Sequence, residues 1–154
     1  MTPAELIAAC TSRGVTVATA ESCTGGMVAA ALTDVPGSSA VFLWGAVTYS
    51  NAAKRDMLGV SQVALADHGA VSEQVARQMA EGARARSRAV LAVSITGIAG
   101  PGGSEFKPEG RVCFGLAGPD GTTVETVEFG ALGRYEVRRA ARDHALEMLQ
   151  AALP

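Results

Sequence analysis

Three stretches concentrate side chains that can do chemistry. GSSAVFLWGAVTYSNAAK, residues 37–54, gathers Ser38, Ser39, Tyr49, Ser50 and Lys54 around an apolar run. ESCTGG at 21–26 and TGIAGPGG at 96–103 are rich in small residues and hydroxyls. A serine beside a lysine is a nucleophile–base pair. The lysine accepts the hydroxyl proton only when neutral, so burial must hold its pKa below the ordinary lysine value. Ser38 or Ser39 with Lys54 meets that requirement in type. Cys23 is the rival nucleophile, a thiol at a strand-to-helix loop where a helix N-terminus favours the thiolate. Tyr49 and Lys54 match in type the Tyr–Lys pair of hydride-transfer enzymes. They stand five residues apart instead of four, and ESCTGG lacks the glycine spacing of a dinucleotide site.

Both glycine-rich loops follow a predicted strand. In open α/β sheets ligands bind beyond the carboxyl ends of strands. Small residues let a ligand approach the backbone, and a helix after the loop offers free N–H groups to a phosphate. Ser22, Thr24 and Gly25 in the first loop and Gly97 in the second are the positions expected to meet the ligand. Together with the hydroxyl–lysine segment they point to a nucleotide-like or phosphorylated molecule. His68 and His144 are far apart in sequence, and no metal-ligand spacing occurs.

The elements that must position these residues follow from pattern. TPAE opens a helix that Gly14 ends. VTVATA, 15–20, reads as a strand and Met27–Leu32 as an apolar, small-residue helix. Helices are predicted to end at Leu58, to cover Gln62–Asp67, and to run from a Ser72 cap with Val75, Met79 and Ala83 inward. AVLAVSIT, 89–96, reads as a strand covered on both faces. RVCFGLAG and TTVETVEFG form a strand pair turned by PDG, and a helix covers about 134–152. The order predicts one α/β domain over residues 1–154, a three-layer α/β/α sandwich with a mixed, mostly parallel sheet. One segment is geometrically contested. If 39–49 were a single strand, Ser39 would lie roughly 33 Å from Tyr49. Cooperation with Lys54 therefore requires a short helix from Ser38 to about Leu43, broken at Gly45 and followed by a strand AVTY.

Bulk properties narrow the classes. Hydrophobic residues make up 48% of the 154, which excludes disorder as the main state. The net charge of −2, without a basic block, argues against a general nucleic-acid surface. The apolar runs are too short to span a bilayer, and the N-terminus carries no signal-peptide pattern. Three widely spaced cysteines fit a reducing, cytoplasmic setting better than a disulfide framework.

TAESCTGG, GSSAVFLWGAVTYSNAAK, GAVSEQVARQMAEGA and SITGIAGPGGSEFKPEG together resemble the CinA C-terminal domain family, from about residue 3 to the last helix. The resemblance implies a bacterial cytoplasmic enzyme, often dimeric, with a three-layer α/β fold. It implies hydrolysis of the carboxamide of nicotinamide mononucleotide to nicotinate mononucleotide and ammonia in pyridine-nucleotide recycling, without metal or cofactor. Carried over by motif, Ser39, Tyr49 and Lys54 are the implied catalytic group, with Thr96 and Arg134 as supporting or substrate-binding positions. The loop GPGGSEFKPEG is one residue shorter than is usual, and Phe106 and Glu109 replace commoner residues there. A nucleotide-binding module without turnover, serving competence or a DNA-damage response, is the alternative reading.

Overall fold

The computed structural model describes all residues, Met1–Pro154. The elements are α1 (Pro3–Arg13), β1 (Val17–Glu21), α2 (Met27–Thr33), a 3-10 turn (Ser38–Ala40), β2 (Phe42–Val47), α3 (Asn51–Leu58), α4 (Gln62–His68), α5 (Glu73–Ser87), β3 (Leu91–Gly97), β4 (Arg111–Gly118), β5 (Gly121–Glu128) and α6 (Arg134–Ala151). Their order is the predicted one. Thr2 and Glu5 form a capping box on α1, and Gly14 closes it in the left-handed conformation. Ser50 and Ser72 accept hydrogen bonds from main-chain N–H groups in the first turns of α3 and α5.

The sheet order is β2-β1-β3-β4-β5. β1 pairs in parallel with β2 and β3, whereas β3–β4 and β4–β5 are antiparallel. The sheet is mixed as expected, but only half its pairings are parallel. A parallel neighbour needs a long crossover, usually helical. None lies between β3 and β4, and β4 turns directly into β5 at Pro119–Asp120.

The three layers come from strand alternation. Val17, Leu91, Val93, Ile95 and Phe114 join residues of α1, α2 and α6 in the larger core. Ala18, Ala20 and Ala92 face α3, α4 and α5, against Leu58, Val75 and Met79. The chain leaves β1 toward β2 and leaves β3 toward β4. The carboxyl ends of β1 and β3 therefore flank a switch point where a ligand crevice is expected.

The 37–54 segment departs from expectation. Only Ser38–Ala40 is helical, and β2 runs unbroken through Gly45. Gly45 pairs with Thr19 across the ladder. A Cβ there would lie 2.7 Å from Thr19 Oγ1 and 2.8 Å from Phe42 Cζ, so the glycine marks a close approach instead of a break.

Candidate active site

Lys54 heads the fully buried side chains by volume, at 1% exposure. Capping by Ser50 starts α3 so that Lys54 and Leu58, one turn apart, share its inward face. The Lys54 Nζ lies 3.0 Å from Ser22 Oγ, 2.8 Å from the Thr48 carbonyl oxygen and 3.3 Å from that of Tyr49. No carboxylate is among these partners. Burial lowers the Lys54 pKa, opposed weakly by the charge of a Cys23 thiolate, which the protein does not form near neutrality. In the neutral amine, two N–H bonds go to the two carbonyls, and the lone pair is left facing the Ser22 hydroxyl. The arrangement is that of a nucleophile and its base.

Ser22 reaches this point by alternation. It follows Ala18 and Ala20 onto the α5 side of the sheet, and its N–H donates to the Ile95 carbonyl at 2.9 Å. Thr96 emerges beside it from β3 and donates to the Ala70 carbonyl at 2.8 Å. Tyr49, 59% exposed, stands at the mouth. Its hydroxyl accepts a 2.7 Å hydrogen bond from Arg134, whose guanidinium also donates to the Gly100 carbonyl. These residues, with Gly97 and the glycine-rich loop, line a cavity of about 320 Å³. That volume lies at the small end of ligand pockets.

The structure thus joins Ser22, Tyr49, Lys54, Thr96, Gly97 and Arg134 in one cavity, and Cys23 also lines it. Ser39 is a correction. It sits on the turn that precedes β2, while Tyr49 and Lys54 follow that strand. Six strand residues hold the two ends roughly 20 Å apart. The hydroxyl within reach of Lys54 is that of Ser22, which the sequence placed among binding positions. Cys23 is also set aside as nucleophile, because burial pushes its thiol up to about 12.

Thr24 and Gly25 do not line the cavity either. Thr24 is fully buried and donates to Glu21 Oε1 at 2.7 Å. Glu21, itself 1% exposed, also accepts from the N–H groups of Gly26, Val28 and Ala29 at 3.2, 3.0 and 3.0 Å. The start of α2, one of the helix starts that the sequence offered to a phosphate, is thus already filled by the protein's own carboxyl group. Glu21→Gln replaces one accepting oxygen with a donor facing N–H groups. It is expected to lower stability by about 2–4 kcal/mol, because hydrogen bonds to charged groups are worth about 1.5–3 kcal/mol each. Urea unfolding midpoints measure this, and an unchanged midpoint would refute the role.

Sequence reasoning missed the roles of three residues around the cavity, Glu21, Arg138 and the Glu109 it had noted only as a departure in the loop. Glu21 falls where strand alternation buries it, just ahead of a helix start, which was a readable signal. Arg138 lies one turn after Arg134 on α6 and donates to the carbonyls of Cys23 and Thr24. Glu109 accepts from the N–H of Gly102 at 2.6 Å and of Gly133 at 3.1 Å, tying the glycine-rich loop to the start of α6.

The model of the CinA C-terminal domain matches residues 2–153. The chain is 55% identical over 139 residues to the nicotinamide-nucleotide amidohydrolase PncC of Escherichia coli (strain K12), covering 90% of this chain and 84% of that protein. It is 52% identical to a CinA-like protein of Anaeromyxobacter sp. (strain Fw109-5), covering 98% of this chain and 37% of that one. The chain thus spans only about a third of the length of the longer relatives. The crystal structure of the competence/damage inducible protein CihA from Agrobacterium tumefaciens superposes with a TM-score of 0.93 at 52% identity, covering 97% of this chain and 92% of that one.

Proposed function

The chain belongs to the CinA C-terminal domain family, and from that premise we propose that it hydrolyses the carboxamide of nicotinamide mononucleotide to nicotinate mononucleotide and ammonia. The observation that carries the reading is the buried contact between Lys54 Nζ and Ser22 Oγ, with no carboxylate among the hydrogen-bond partners of the amine. A relative that aligns with 90% of this chain is named for this substrate and reaction class.

Ser22 Oγ attacks the carboxamide carbon while its proton passes to Lys54. The tetrahedral oxyanion collapses. The C–N bond breaks, and the leaving nitrogen takes the proton back from Lys54 and departs as ammonia. Lys54, neutral again, deprotonates a water that attacks the Ser22 ester. That proton returns to Ser22 Oγ as the acid is released. Tyr49 and Arg134 flank the entrance, where a hydroxyl and a guanidinium suit a ribose phosphate. Thr96 and Gly97 line the cavity as candidate substrate contacts. Nowhere do three His, Cys, Asp or Glu side chains converge as metal ligands.

The test is ammonia release from nicotinamide mononucleotide by the pure protein, with and without EDTA. Equal release in both is expected. Tight binding of the nucleotide with no ammonia would establish the binding module instead, and loss in EDTA restored by zinc would overturn the metal-free mechanism.

A further inference from the structure

The Ser22 loop is held from behind by α6. Arg138 Nε donates to the Cys23 carbonyl at 2.9 Å and Nη2 to the Thr24 carbonyl at 3.3 Å. The Gly25 N–H, in the same peptide unit as the Thr24 carbonyl, donates to the Ser22 carbonyl at 3.0 Å. The Ser22 carbonyl shares its own peptide unit with the Cys23 N–H. That N–H donates to no oxygen of the protein, its one partner being the residue's own Sγ, and Cys23 lines the cavity beside Ser22. An unbroken line of hydrogen bonds thus runs from a guanidinium, through two peptide units, to an N–H beside the nucleophile that no oxygen of the protein occupies.

We propose that Arg138 is a positioning residue of the amidase centre, orienting and polarising the Cys23 N–H that receives the oxyanion. The inference rests on the amidase reading and on Ser22 as its nucleophile. Hydrogen bonds in series strengthen one another inside a protein, and a cation at the head of the line adds to the effect. Arg138 is half-buried, so its charge is only partly screened by solvent. Its fork supplies two donors in one plane, which fixes the orientation of the loop's peptides as a single ammonium would not. Gly25 leaves room for it: the residue sits at φ +58, and a Cβ there would lie 3.1 Å from Arg138 Nη2.

Two assays read the proposal in wild type, Arg138→Gln and Arg138→Lys. One is turnover of nicotinamide mononucleotide. The other is labelling of Ser22 by a small methylphosphonofluoridate, followed by mass spectrometry. In labelling, the Ser22 Oγ–P bond forms and the P–F bond breaks. Fluoride leaves, the hydroxyl proton passes to Lys54, and the phosphoryl oxygen takes the place of the oxyanion. Removing an oxyanion donor outright costs about 10²–10³ in kcat, and weakening one costs less. Arg138→Gln is expected to lower kcat and the labelling rate together, by about 10–100-fold, with KM within about threefold. Arg138→Lys should fall between, and it carries the test if the glutamine variant does not fold. A raised KM with kcat and labelling unchanged would show that Arg138 only shapes binding, and would overturn the proposal. So would wild-type protein that is not labelled at Ser22. Labelling of Ser22 in wild type without ammonia release would refute the amidase reading alone, and the variants' labelling rates would still decide the role of Arg138.

Discussion

Ser22→Ala is expected to release ammonia at least about 10³-fold more slowly than the parent chain, while Ser39→Ala keeps near-full turnover. Ser22 Oγ is the hydroxyl within hydrogen-bond reach of Lys54 Nζ. Removing it leaves Lys54 Nζ with no hydroxyl partner, and burial disfavours the thiolate of the neighbouring Cys23. The small change at Ser22 leaves its N–H bond to Ile95 in place, so unfolding midpoints should move little. Ser39 is exposed on a surface turn, where substitutions typically shift stability within about 0.5 kcal/mol. Cys23→Ala should turn over within about tenfold of wild type, since the proposed oxyanion donor is its main-chain N–H. An inactive Ser39→Ala enzyme beside an active Ser22→Ala enzyme would refute the assignment.

The contrast between those serines shows what linear reading could reach. Lys54 was legible in type, as the base that a serine nucleophile needs and that burial must hold neutral, in the segment before the helix end predicted at Leu58. So was the placing of two small-residue loops at strand ends. The partner of Lys54 was not legible from spacing. Ser39 is fifteen residues away and Ser22 is thirty-two, and nearness in sequence favoured the serine that the fold holds away from Lys54. What decides the matter is parallel register. β1 and β2 run side by side with Glu21 opposite Val47, so the residue after β1 meets the helix after β2. Requiring Ser39 to reach Lys54 forced a break at Gly45, and the close approach to Thr19 that explains this glycine needs the neighbouring strand to be known. Glu21 illustrates the reverse case. A carboxyl group at the end of a buried strand calls for donors, and the helix start that follows supplies them. That internal pairing removes α2 from the candidates for binding phosphate.

Lys54→Arg is expected to abolish turnover, and wild-type activity should fall on the acid side with its limb below the ordinary lysine value. The side chain is buried with no carboxylate partner, so desolvation disfavours its ammonium form. Protonated, Nζ donates to Ser22 Oγ and has no lone pair with which to accept the proton. Activity must therefore rise as Lys54 deprotonates. Arginine keeps a charge at position 54 but does not deprotonate in a working pH range, so it cannot serve as the base. Stability moves in the same direction. The folded protein holds this proton less tightly than the unfolded chain, whose lysine titrates near about 10.4. Between the two pKa values the unfolded state binds more protons, so stability at this site rises with pH across that window and is lowest where both states are protonated. Lys54→Met keeps an unbranched stem and removes the titration. Urea unfolding of wild type and Lys54→Met from about pH 6 to about pH 10 should show the wild type gaining on the variant as pH rises. A constant gap would mean that Lys54 is not desolvated as the fold requires. A Lys54→Arg enzyme with near-normal turnover would reduce the residue to a fixed charge. Neither Thr96 nor Tyr49 could then take over as base without first losing a proton to something else, and the buried contact with Ser22 would have no catalytic meaning.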